Sequence, residues 1–273
     1  MLRLAARPAT PADYDHFARL FPELGVDQAA PSRDRWEHVL ARDTLLFEED
    51  GAVVAYAYAQ TLRDMGYVRN VVVTRSHRGR GVGGAVMRAV AAHLRARGCS
   101  RWCLNVVPDN AAAVRLYRSA GMEQAYTSTD FRFTWDVVAR LPRDGRDVAA
   151  RRLEPADDAA VEATFALVPG QIAEARGRGH LVLLSLIDPA APSAPPLGFA
   201  SFDPAHPGAF PFRVAAPGLA VPLLEAIRPH APPDGAFVNV VVEDDDALAA
   251  AFLAAGASVH LALAHFRGDI PAT

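Results

Sequence analysis

The sequence predicts an α/β fold with a mixed sheet, laid out twice along the chain. Strand-like runs alternate with alanine-rich amphipathic stretches, the pattern of a layered α/β protein. The turn signal Glu49-Asp50-Gly51 between residues 44–49 and 52–61 marks an early hairpin, which a purely parallel sheet would not contain. Segments of the first half also recur in the second. Arg7-x-x-x-Pro11-Ala12-Asp13 returns as Arg151-x-x-x-Pro155-Ala156-Asp157, and Phe21 falls on Phe165 in the same register.

Taken in order, residues 2–7 read as a strand and Pro11 opens a helix to about Phe21, since proline suits the first helical position. Ser32 is placed to cap a second helix carrying Trp36, Val39 and Leu40. The hairpin follows, then the β-rich run 66–74. After a glycine cluster, Val86, Val90, Ala91 and Leu94 recur at helical spacing and predict a helix from about Gly83 to Arg97. A strand over 101–107, a helix over 110–120 and two strands, 123–127 and 130–137, complete the half.

Each half ends with a strand-like run, acids or amides, an alanine-rich helix and a glycine: LNVVPDNAAAVRLYRSAG (104–121) and VNVVVEDDDALAAAFLAAG (238–256). Matching Asn105 with Asn239 takes a one-residue slip. The stretch LPRDGRD, within residues 138–148, has the proline, glycine and charge of a linker. The expected organisation is therefore two related domains, 1–140 and 149–273.

Composition narrows the class. The chain has 273 residues, 51% hydrophobic and 22% charged, enough apolar content for packed cores. All 28 basic residues are arginine and the net charge is -3, which argues against a nucleic-acid binder. The asymmetry is more telling: residues 1–140 hold 19 arginines against 15 acids, residues 141–273 nine against 16. An anionic ligand is expected in the first half. No apolar run reaches the ~20 residues of a membrane span, and the opening residues lack the apolar core of a secretory signal. Cys99 and Cys103 have no further cysteine or metal-like histidine near them, which suits a reduced cytosolic protein without a metal.

The stretch SHRGRGVGGAVMRAV (76–90) carries the chemistry. It follows a strand and opens a helix. Gly79, Gly81, Gly83 and Gly84 allow a tight turn that presents N–H groups at a helix N-terminus, where the dipole favours an anion. Arg78 and Arg80 add charge, so a phosphate-bearing cofactor is the natural occupant. Gly79-x-Gly81-x-x-Gly84 matches the dinucleotide fingerprint, but residues 102–108 offer no acid for the ribose hydroxyls. No Lys-Ser/Thr pair follows, so it is not the P-loop.

Here the sequence resembles the GNAT superfamily of N-acetyltransferases. The signature Q/R-x-x-G-x-G/A reads Arg78-Gly79-Arg80-Gly81-Val82-Gly83. The second hallmark, an Asn leading into a helix that ends L-Y-x-x-x-G, reads Asn110 through Leu116-Tyr117 to Gly121. The resemblance covers about residues 2–138. It implies acetyl-CoA held between two splayed central strands, with backbone amides of Arg78 to Gly84 on the pyrophosphate. Val71, Val72 and Val73 would bond the pantetheine and acyl carbonyl, the Val73 amide serving as oxyanion donor. Asn110 and Ala113 would contact the pantetheine arm, and Tyr117 would protonate the departing thiolate. The implied protein is a bacterial, cytosolic tandem enzyme acetylating a small-molecule amine by direct transfer.

The sequence departs from that pattern in two places. Where many relatives carry a glutamate on the central strand, this chain has Arg69 and Asn70. A remote acid, Glu23, Asp27 or Asp64, would then act through water, or the acceptor amine would need little help. Arg69 suits recognition of a substrate oxyanion, alongside Glu23 and Asp27 as candidate acceptor contacts. In the second half the loop reads Val214-Ala-Ala-Pro217-Gly218-Leu219-Ala-Val-Pro222, with one glycine and prolines that cannot donate, and Phe252 replaces Tyr117. The second domain is therefore expected to be degenerate. A non-catalytic acyl-CoA sensor and a transferase acting on protein or peptide amines stay open as rivals. His260 and His265, five apart on a strand-like run, project to opposite faces and suit no shared metal.

Overall fold

The computed structural model describes residues 4–25, 29–62, 64–233 and 235–272; Asp27 lies outside the described residues. In chain order the strands are β1 (Ala5–Pro8), β2 (Thr44–Glu49), β3 (Ala52–Leu62), β4 (Met65–Val73), β5 (Arg101–Val106) and β6 (Glu123–Phe133). They continue as β7 (Ala149–Arg152), β8 (Val182–Ile187), β9 (Gly198–Asp203), β10 (Gly208–Val214), β11 (Val238–Glu243) and β12 (Ser258–Asp269). The helices are α1 (Tyr14–Leu20), α2 (Arg33–Arg35, running on as a π turn over Trp36–Leu40), α3 (Val82–Ala96) and α4 (Ala111–Ser119). After them come α5 (Asp158–Thr164), α6 (Gln171–Gly177), α7 (Ala220–Ile227) and α8 (Asp246–Ala255).

The chain divides into two compact units. One comprises Met1–Tyr126 together with Leu263–Thr273, the other Thr127–Ala262. In the first, the strands run in the order β1-β2-β3-β4-β5, followed by residues 263–269 of β12. In the second, residues 127–133 of β6 are followed by β11-β10-β9-β8-β7. Each unit has one parallel pair, β4 with β5 and β10 with β11, among antiparallel neighbours. Mixed strand direction is what the hairpin signal predicts. That hairpin is real: Asp50 and Gly51 hold φ of 52° and 79°, the left-handed pair a two-residue β-turn requires.

Two apolar layers sandwich the first sheet. On one face Val82, Val86, Val90 and Leu94 of α3 bury against Ala55, Ala57 and Ala59 of β3 and Trp102 and Leu104 of β5. On the other, Phe17 and Leu20 of α1 and Trp36 pack on Leu46, Tyr56 and Val72. Ser32 caps α2 by accepting from the Arg35 amide, as its position predicts. In the second unit α7 and α8 cover one face, with Phe252 stacked on Phe131 and Phe133. Helices α5 and α6 cover part of the other.

The repeat read in the sequence makes the same contacts twice. Arg7 grips Asp13 with bonds of 2.9 and 2.7 Å, and Arg151 bonds Asp157 at 2.9 Å. Asn110 caps α4 by accepting from the Ala113 amide, while Asp245 caps α8 by accepting from Leu248. One residue type differs; the role is shared.

Two expectations differ from the structure. The strands expected at 123–127 and 130–137 are one continuous strand, β6, and residues 135–140 form a 3-10 turn. The polar run Thr127-Ser128-Thr129-Asp130 looks like a turn, yet β11 pairs with it residue by residue from Glu243–Ser128 to Val238–Phe133. Ladder bonds decide the conformation there. The boundaries 1–140 and 149–273 likewise differ from the observed division. Residues 263–269 complete the first unit's sheet beside β5, from Ala264–Val106 to Asp269–Arg101, whereas residues 127–133 serve the second.

Candidate active site

Strands β4 and β5 pair for four residues only, from Met65–Arg101 to Val68–Leu104. Beyond that point they part, and a bulge explains why. Tyr58 pairs with Asn70 and Ala59 with Val68, leaving Arg69 as an extra residue that bends β4 away. β5 instead stays with β12 as far as Val106. The result is a wedge with a free backbone edge along the last residues of β4.

Backbone direction alternates along a strand. The Thr74 amide donates to Val54 on β3 at 2.9 Å, so Thr74 and Val72 face β3. Val71 and Val73 then face the open wedge, and Val73 C=O accepts from Arg78 Nε there. The Val71 and Val73 amides are thus available to a ligand. Val72 is not: its side chain is buried against α1 and α2 and its backbone serves β3, so it is set apart from its two neighbours.

The loop after β4 turns through Gly79 and Gly81, whose φ values of 74° and 82° lie in the left-handed region that side-chain-bearing residues resist. Gly81 is the residue before α3, so Val82, Gly83 and Gly84 have helix-start amides with no intrahelical acceptor. Gly83 also lets α4 approach, since a Cβ there would meet Leu116 at 3.1 Å. The arginines of the loop are tied down. Arg78 Nη2 donates to both the backbone and the carboxylate of Glu23 at 2.9 Å, and Arg80 pairs with Glu49, which His77 also reaches at 3.0 Å. Glu23 is therefore a brace for the loop and not a carboxylate free to meet an acceptor. Arg78 and Arg80 hold the loop's shape, while the amides do the presenting.

Tyr117 lies on the inner face of α4, buried in the core and tilted against Phe266 at 6.4 Å. Phe266 is opposite Leu104, where the wedge begins. Burial pushes the Tyr117 phenol up to about 12, so it keeps its proton throughout the neutral range. Asn110 spends its side-chain oxygen on the Ala113 amide, a cap that fixes the start of α4 beside the wedge.

The opposite face of the sheet is polar. Trp102, Leu104, Ala264 and Phe266 point into the core, so Cys103, Asn105, His265 and Arg267 point away from it. Tyr67 joins them, its hydroxyl accepting from Asn105 Nδ2 at 2.9 Å. Arg69 lies over the Tyr67 ring at 3.9 Å and donates to Gln60. Burial pushes the Cys103 thiol up, and the charges of Arg267 and Arg69 oppose it. Asp64 pairs with Arg101 at the far end of β5. Sequence reasoning missed the β12 contribution altogether, because nothing local in residues 263–269 says which sheet they join. His265 stacks on Tyr126 at 4.1 Å and His260 contacts Arg132. Among the described residues no group of three or more His, Cys, Asp or Glu is placed to hold a metal ion.

In the second unit the corresponding places carry different contacts. β10 and β11 pair over two residues before parting, but Arg213 and Glu243 form an ion pair across the gap, both side chains largely buried. Before α7 the linker backbone lies against Gly218: a Cβ there would fall 2.5 Å from the Asp144 nitrogen.

A mixed sheet with a wedge beside a glycine turn and helix N-terminus defines an acyl-CoA-dependent transferase fold. A sequence profile described as the acetyltransferase (GNAT) family matches residues 12–122. The [ribosomal protein bS18]-alanine N-acetyltransferase of Escherichia coli (strain K12) is 31% identical over 99 residues, which span 34% of this chain and 67% of that one. A GCN5-related N-acetyltransferase from Sphaerobacter thermophilus superposes with a TM-score of 0.69 at 19% identity, covering 99% of this chain and 96% of that chain. A tandem GNAT protein from the clavulanic acid biosynthesis pathway does so with a TM-score of 0.58 at 15% identity, covering 99% and 100%. The chain belongs to the GNAT family of acetyltransferases, which are acyltransferases using acetyl-CoA and acting on amines, and its fold is the tandem form.

Proposed function

We propose that the first unit transfers an acetyl group from acetyl-CoA to the primary amine of a small molecule, directly and within a ternary complex. The observation that carries this reading is the wedge, with the Val71 and Val73 amides free along its edge and the helix-start amides of Val82 to Gly84 behind it. Those residues fit the cofactor: an extended amide-bearing arm needs a free strand edge, and a pyrophosphate needs unpaired N–H groups at a helix start. Gly79, Gly81 and Arg80 shape that turn, and Arg78, braced by Glu23, fixes it to β4. Acetyl-CoA would supply the activated thioester.

The rest falls to the chain. The Val73 N–H donates to the acyl oxygen as negative charge develops on it. Tyr117, protonated at neutral pH, donates toward the sulfur as it leaves. The capped start of α4, with Asn110 and Ala113, lines the arm's path. The polar face bearing Tyr67 and Arg69 receives the acceptor. Two free thiols agree with a reducing, cytosolic setting.

The second unit is degenerate in this reading. The Arg213–Glu243 pair bridges its wedge and linker backbone occupies the approach to α7, which supports a structural role.

A second acceptor class has one observation in its favour: the similar bS18-alanine N-acetyltransferase acts, by its name, on the alanine of a ribosomal protein. Calorimetric titration with acetyl-CoA, followed by thiol-release assays on small amines and on alanine-starting peptides, tests both. One equivalent bound, lost in Gly81→Asp, with turnover of small amines supports the proposal. Turnover of peptides alone transfers it to the second class. Binding without any turnover, unchanged in Tyr117→Phe, would leave a sensor.

A further inference from the structure

We infer that the groove between α3 and α4 of the first unit binds a small carboxylate with an apolar body, its oxygens taken by Arg95 and Trp102. The site lies outside the acetyl-CoA wedge, and no step of the proposed transfer uses it.

The groove follows from spacing along α3. Gly84, Arg88, Ala91 and Arg95 recur at intervals of three or four residues and so share one side of the helix. Together with Leu116 and Gly121 of the α4 side and Pro271 they line a cavity of about 590 Å³, a size that suits a small organic molecule. Trp102 lines it from the sheet beneath. That residue pairs with Gly66 on β4 and Gly268 on β12, in the stretch where β4 and β5 are still joined. The sheet-side wall of the cavity therefore lies below the point where the wedge opens.

Two N–H donors of this groove have no acceptor. Trp102 is 1% exposed, and its Nε1 is buried without a hydrogen-bond partner; the same holds for Arg95 Nε. Residues directly opposite in neighbouring strands share a face, and here both neighbours of Trp102 are glycines, with no side chain that could accept from the indole. Arg95 sits in the last turn of α3 and Trp102 near the start of β5, on either side of the short connection 97–100, so both donors belong to one end of the groove. A buried donor left unpaired costs stability, and two lining one cavity point to an acceptor from outside the chain. One donor is a guanidinium, and no acid lines the cavity among the described residues, so the acceptor is anionic. A carboxylate offers one oxygen to each N–H, in charge-assisted bonds. Ser119, the hydroxyl of the groove, is spent on the Leu116 carbonyl at 2.7 Å. Met87, Ala91 and Leu116 are left to cover an apolar body.

The test uses the full chain, with octanoate, octanamide and acetate as probes. In NMR titrations the indole N–H resonance of Trp102, assigned with Trp102→Phe, should shift saturably with octanoate. Octanamide, which lacks the charge, should bind at least about 10-fold more weakly. Acetate, which lacks the body, should also lose at least about 10-fold. Arg95→Gln should raise the octanoate Kd about 10-fold and leave octanamide unchanged, a pattern that a structural role for Arg95 would not give. Arg88→Gln, at the other end of the groove, should change neither, and urea melts establish that each variant is folded. Saturating acetyl-CoA should leave the octanoate Kd within about threefold, because the groove and the wedge are separate. No saturable shift at millimolar octanoate, equal affinity for octanoate and octanamide, or an effect of Arg88→Gln in place of Arg95→Gln overturns the inference. Displacement of octanoate by acetyl-CoA overturns it too, by making the groove part of the cofactor site. None of these readouts needs turnover, so a chain that fails to transfer acetyl groups leaves the inference standing.

Discussion

Single residues here divide between those that shape and those that react. In the proposed mechanism Tyr117 belongs to the second kind. Replacing it with Phe removes the hydroxyl and keeps the packing on Phe266, so kcat should fall by about 10²–10⁴ while acetyl-CoA affinity, measured by calorimetry, changes little. With its phenol pushed up to about 12, the rate profile of the wild type should show no descending limb from Tyr117 below about pH 10. Asp13 belongs to the first kind. It accepts from Arg7 twice and from the amide and hydroxyl of Thr10, and the Arg7 guanidinium holds its carboxyl well below the usual range. A depressed carboxylate stabilises the fold above its unfolded pKa of about 4, and that contribution fades as pH falls towards the folded value. Asp13→Asn should therefore cost about 2 kcal/mol in urea melts at pH 7, and the gap from wild type should narrow as the pH falls below about 4.

At the level of elements, the site depends on where two strands stop pairing. The Arg69 bulge parts β4 from β5, and β12 keeps β5 straight on its other side. Phe266 shows how far this reaches. It is fully buried in the first unit's core, beside Tyr117 and opposite Leu104, although it comes near the end of the chain. Phe266→Ala should destabilise by about 3–5 kcal/mol in urea melts. Where the variant stays folded, calorimetry should show weakened acetyl-CoA binding. If Phe266→Ala left both unchanged, β12 would be no part of the site's frame.

On the scale of the whole chain, the two units differ in the contacts they make at corresponding places. The first presents a free strand edge and a glycine turn. The second spans its gap with Arg213 and Glu243 and lays the linker on Gly218. The expected stoichiometry is one acetyl-CoA per chain. Gly218→Ala should leave that binding in place while lowering the urea midpoint by the equivalent of about 1–3 kcal/mol, because a Cβ forces the Asp144 backbone aside. Two equivalents bound, or binding lost in Gly218→Ala, would restore the second unit as a cofactor site.

Much of this was legible in the order of residues alone. The glycine turn, the Ser32 cap and the Asp50-Gly51 hairpin are local patterns, each specified by a few neighbours through backbone conformation or short-range hydrogen bonds. Pro217 and Pro222 in the second half are legible in the same way: a proline has no N–H wherever it sits. Tertiary structure alone decided what depends on partners distant in sequence. It made β6 a single strand, placed residues 263–269 beside β5, spent Glu23 on Arg78 and brought Arg267 level with Tyr67. Strand pairing is non-local, since any extended segment offers the same backbone groups. Which edge it joins is settled only when the whole sheet forms.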